Sequence, residues 1–141
     1  MSSTNRVRPA APKVAISGAA LIAGLMLALP GAAHAATTTT SVSVTAGKPS
    51  EFRFVLSKKT FAHGAVVFHV KNGGAIPHDF KICASPKGGV ANACTGKVTK
   101  LLSHGQSATL SYTFKVKGTY EYLCTVPGHA AAGMKGDLKV T

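Results

Sequence analysis

Four side chains in this sequence have the types and spacing to serve one chemistry together. Cys124, His129 and Met134 follow one another as C-x4-H-x4-M, and His78 stands upstream in Ile76-Pro77-His78. Two imidazoles, one thiolate and one thioether make a mixed soft and borderline donor set. Such a set suits copper in both oxidation states, with the methionine as a weak, long axial ligand, whereas zinc has no need of a thioether. Each residue alone reads as ordinary: a buried cysteine, a core methionine, two loop histidines. All four at this spacing, punctuated by Pro127, Gly128 and Gly133, point to a metal.

The elements that must position them read as strands. Short runs alternate apolar and polar residues between glycine, proline and asparagine, and no helical period is sustained. Strands are expected at Ser41 to Ala46, Glu51 to Leu56, Ala65 to Lys71, His78 to Cys83, Val98 to Leu102, Ser107 to Lys115, Thr119 to Cys124 and Met134 to Val140. Lys117-Gly118 reads as a hairpin turn, and Asn72-Gly73-Gly74 as a turn or bulge that needs positive φ. About eight short strands in about a hundred residues predict an all-β sandwich.

Successive side chains on a strand point to opposite faces, so parity separates core from solvent. Phe52, Phe54 and Leu56 form one core set, Val66, Phe68 and Val70 a second, and Ala108, Leu110, Tyr112 and Phe114 a third. Glu51, Arg53, His69, Lys71, Thr109, Ser111 and Thr113 should meet water. His78 shares its face with Phe80 and Ile82, Cys124 with Tyr122 and Tyr120, and Met134 with Leu138 and Val140. Three of the four candidate ligands thus point inward at strand ends. His129 lies in the segment that joins two of them.

Residues 1–35 read as a cleaved leader. Arg6, Arg8 and Lys13 give a positive start, Val14 to Leu29 is almost wholly apolar, and Ala33-His34-Ala35 has the small-x-small form of a cleavage site. An uncleaved membrane anchor is the alternative, since the run approaches the roughly 17 to 25 residues that cross a bilayer. Residues 36–40 are expected to be a polar tail, and 41–141 one domain. Loss of the three basic residues of the leader takes the formal charge from +12 to +9. Nucleic acid is excluded as a partner, because an exported chain seldom meets it and the lysines are dispersed. Steering toward an acidic protein or an anionic membrane surface fits the charge better.

Three cysteines in an exported domain leave one over after any disulfide. Cys83 and Cys94 bracket an irregular segment, and a link between them suits export. It would stabilise the fold by about 3 kcal/mol in the chain-entropy account and leave Cys124 free as a ligand. His34 falls in the leader, while His63, His69 and His104 read as surface residues.

The stretch Gly118-Thr-Tyr-Glu-Tyr-Leu-Cys124-Thr-Val-Pro-Gly-His129-Ala-Ala-Ala-Gly-Met134, with Ile76-Pro-His78-Asp-Phe80 upstream, resembles the cupredoxins. Its loop is most similar to the sulfocyanin and rusticyanin branch and more distantly to plastocyanin and azurin. The resemblance covers roughly residues 41–141. It implies a Greek-key β-sandwich that binds one copper through His78, Cys124, His129 and Met134 and shuttles electrons between larger redox proteins. It also implies a clasp in which Asp79 takes hydrogen bonds from Thr125 and ties the two ligand segments together. Asn or Ser is more usual at the Asp79 position, and an ionised carboxylate there would lower the reduction potential.

The function expected is that of an exported, monomeric type 1 copper protein, not an enzyme, exchanging single electrons with donor and acceptor proteins at the edge of His129. A copper chaperone or store is the alternative. A metal-free adhesive sandwich is a further rival, and an oxidase or nitrite reductase would need more ligands and a second domain than this chain offers.

Overall fold

The computed structural model describes residues 38–86 and 95–141. The expected leader, and Cys94 of the expected disulfide, lie outside the described residues. Within them every regular element is a strand: β1 (Thr40–Ala46), β2 (Phe54–Leu56), β3 (Thr60–Phe61), β4 (Gly64–Asn72), β5 (Lys81–Cys83), β6 (Gly96–Val98), β7 (Ser107–Phe114), β8 (Gly118–Leu123) and β9 (Lys135–Val140).

They form two sheets. One has the order β2-β1-β4-β7 and the other β3-β9-β8-β5-β6. The pairs β1/β4 and β3/β9 are parallel, and the remaining pairs antiparallel. The molecule is therefore an all-β sandwich, as the alternation predicts. The short β3 escapes a sequence reading because two residues cannot display a period.

Between the sheets lies an aromatic core. Phe68 of β4 packs its ring 5.6 Å from Phe80 and 6.3 Å from Phe61, and Phe80 lies 5.4 Å from Tyr122 of β8. Each such ring removed from water stabilises the fold by about 1.5–3 kcal/mol before entropy is counted. The parity sets on β4 and β7 hold: Val66, Phe68, Val70, Leu110 and Phe114 are buried, while His69, Lys71, Thr109, Ser111 and Thr113 are exposed.

Three local expectations are corrected. Glu51 and Phe52 lie in a turn before β2 rather than on a strand, so parity does not govern them. Phe52 is 38% exposed instead of core. Lys117-Gly118 is not a hairpin turn, because β7 pairs with β4 while β8 pairs with β5 and β9, and residues 115–117 carry the chain between sheets. Gly73 and Gly74 are also absent from the glycines with positive φ. What Gly74 supplies is space, since a Cβ there would stand 2.9 Å from Gly47 Cα and 3.0 Å from His78 Nε2.

Candidate metal centre

Each candidate ligand is delivered by a strand end or by the loop between two of them. Cys124 follows β8 directly, and Met134 immediately precedes β9. The segment between them is folded on itself by backbone bonds. The amide of Cys124 donates to the Met134 carbonyl at 3.0 Å, that of Met134 to the His129 carbonyl at 2.9 Å, and that of His129 to the Val126 carbonyl at 3.1 Å. Gly128 and Gly133 take φ of +85° and +105°, a region that other residues enter only with strain, so the turns around His129 use glycine for conformation. His78 precedes β5 and is fixed by a two-bond bridge with Leu102.

These supports bring three ligand atoms together. His78 Nδ1 lies 3.2 Å from His129 Nδ1, while Cys124 Sγ lies 3.5 Å from His129 Nδ1 and 4.0 Å from His78 Nδ1. Three donors joined to a central ion by bonds of about 2.0–2.3 Å span a triangle of this size. All three residues are buried, with His129 the most open at 8% exposure. Met134 is fully buried at the far end of the same loop. The donor set therefore fits copper: two nitrogens and one sulfur in a tight triangle, with a thioether residue at hand.

Burial sets the proton chemistry of this cluster. Desolvation pushes the Cys124 thiol up to about 11, so the metal-free protein keeps the proton at neutral pH. Desolvation, and then the neighbouring His78, lower His129 below its ordinary value and favour the neutral ring that a metal needs.

Other contacts join the ligand segments. Asp79 accepts from the Thr125 amide at 2.6 Å and from the Thr125 hydroxyl. Buried Asn72 donates to the carbonyls of Ile76 at 2.8 Å and Leu102 at 2.7 Å, and accepts from the Gly74 amide at 2.8 Å, shaping the turn before His78. Phe52 meets the His129 ring edge to face at 5.1 Å. Glu51 reaches His78 Nε2 at 2.9 Å.

Sequence reasoning missed Asn72, Phe52 and Glu51. The first carried a signal, a polar residue on the buried parity of β4; the other two sit in a turn where no period speaks. Cys83 is buried, and Cys124 is the free cysteine among the described residues.

Comparison with known proteins agrees with this geometry. Residues 39–141 match a family model described as copper binding proteins of the plastocyanin/azurin family. A segment of 43 residues, 30% of this chain and 18% of the relative's length, is 49% identical to auracyanin-B of Chloroflexus aurantiacus. A dithionite-reduced auracyanin from Roseiflexus castenholzii superposes with a TM-score of 0.54 at 26% identity, covering 76% of this chain and 99% of that one. Rusticyanin from Thiobacillus ferrooxidans gives 0.57 at 24% identity, over 73% of this chain and 77% of its own, a likeness of fold alone.

Proposed function

The chain belongs to the plastocyanin/azurin family of copper-binding proteins, and from that premise we propose that it is an exported carrier of single electrons, its copper held by His78, Cys124, His129 and Met134. The observation that supports this most is the buried triangle of His78 Nδ1, His129 Nδ1 and Cys124 Sγ. When bound, copper supplies one-electron exchange between Cu(I) and Cu(II).

The residues of the chain do the rest. Cys124 and His129 are held by a loop closed on its own backbone, and His78 by its bridge to Leu102, so the chain itself sets the positions of these three donors. Their burial excludes water from the ion. His129 is the donor nearest the surface, and exposed Pro127, Gly128, Ala131 and Ala132 around it let a partner approach closely. With copper bound, electrons would enter and leave along that edge, and no substrate would be transformed.

The finer parts of the proposal rest on sequence. Residues 1–35 direct export and are removed, with an uncleaved anchor as the less favoured route. A Cys83–Cys94 link then forms in the oxidising compartment. Exposed Lys48, Arg53, Lys58, Lys59, Lys71, Lys97, Lys115, Lys117, Lys135 and Lys139 give the monomer a basic surface that steers acidic or membrane-bound donors and acceptors.

Voltammetry of the copper-loaded protein separates this reading from a copper-handling module. An electron carrier gives a reversible one-electron wave. Tightly held copper with no reversible wave would favour the chaperone or store.

A further inference from the structure

Glu51 was expected to face water, yet both of its carboxylate oxygens are engaged. Oε1 lies 2.9 Å from His78 Nε2 and accepts from the Ile76 amide at 3.1 Å, and Oε2 accepts from the Ala75 amide at 3.0 Å. With the Ala75 and Ile76 amides donating to its two oxygens and the His78 ring beside them, the carboxyl is placed as an acceptor on every side, the role of an ionised carboxylate.

Two glycines make room for this contact. A Cβ at Gly74 would collide with Glu51 Oε1, and one at Gly47, which has φ of +73°, would collide with Gly74 Cα and stand 3.1 Å from His78 Nε2. The turn is thus built around the line from Glu51 to the imidazole.

A neutral imidazole carries one proton, and a carboxylate only accepts. A bond between Glu51 and Nε2 therefore places the proton there and leaves the Nδ1 lone pair facing Cys124 and His129. An anion behind the ring also makes it a stronger donor, which favours Cu(II) over Cu(I).

We propose that Glu51 is a positioning residue of the copper centre, which fixes the tautomer of His78 and lowers the reduction potential, with Gly47 and Gly74 as the space that it requires. This deepens the copper-carrier reading and rests on it.

Nitrogen NMR of the His78 ring in the copper-free protein at neutral pH tests the first half. The proton is expected on Nε2; a proton on Nδ1 overturns the proposal, and this result needs neither a variant nor copper. Glu51→Gln tests the second half, because its amide nitrogen can donate to Nε2 and favour the other tautomer. The variant should lose roughly 10- to 100-fold in copper affinity and show a higher reduction potential. A residue that merely pinned the Ala75 and Ile76 amides would leave the potential where it was, and an unchanged potential overturns the proposal. A wild-type protein with the proton on Nε2 that never takes up copper would overturn the ligand assignment instead.

Discussion

In the four-stranded sheet, β4 alternates cleanly, with Val66, Phe68 and Val70 buried against exposed His69 and Lys71. In the five-stranded sheet, β8 does not: Tyr120, Glu121, Tyr122 and Leu123 are all buried, and Cys124 continues the run. The first strand meets water on one face, whereas the second is covered on both. The difference teaches where the chemistry sits. One sheet supplies a core and carries no ligand, and the other delivers Cys124 from the covered end of β8 and Met134 from the start of its neighbour β9, which keeps one face in water.

The contrast can be broken most forcefully from the scaffold side. Phe68→Ala, in the sheet without ligands, should cost about 3–5 kcal/mol of stability and leave the copper spectrum of the folded fraction unchanged. Denaturant unfolding with optical spectra checks both halves. A changed spectrum would mean that the two sheets are not separable in this way.

Proton linkage probes the covered strand. Cys124 keeps its proton up to about 11, but a metal ligand must be the thiolate, so binding releases one proton. Apparent Cu(I) affinity should rise about tenfold per pH unit from about pH 7 to about pH 9, measured by competition with a chelator. The sign for stability is the reverse. The thiol is raised above its ordinary 9.0, so metal-free stability is constant below that value and falls as pH rises toward about 11.

A smaller effect belongs to the clasp between ligand segments. Asp79→Asn keeps an oxygen to accept from the Thr125 amide but puts an amide nitrogen where the second oxygen accepts from the Thr125 hydroxyl. The metal-free protein should lose about 1 kcal/mol, read as a shifted urea midpoint with unchanged slope. No loss would mean that the clasp does not help to hold the segments together.

How much of this could be seen beforehand follows the same division. Where a strand has a wet face, as at Val66 to Lys71, composition alone tells inside from outside. The C-x4-H-x4-M spacing and the upstream His78 were legible because donor chemistry constrains residue type. Turns were not. Glu51 and Phe52 extend the β2 pattern in sequence, yet the chain has left the strand there, and their roles depend on partners 27 and 77 residues away. Gly74 was legible as a special glycine, but as a turn former rather than as the gap through which Glu51 reaches His78.

The central claim is that Cys124 and the two imidazoles hold copper together. Titration of the purified, metal-free protein with Cu(II), followed by visible absorption and EPR, tests it most directly. An intense thiolate-to-copper band and a narrow copper hyperfine splitting are expected at one equivalent, both lost in Cys124→Ser while the fold persists. A folded wild-type protein that gives no such band would contradict it.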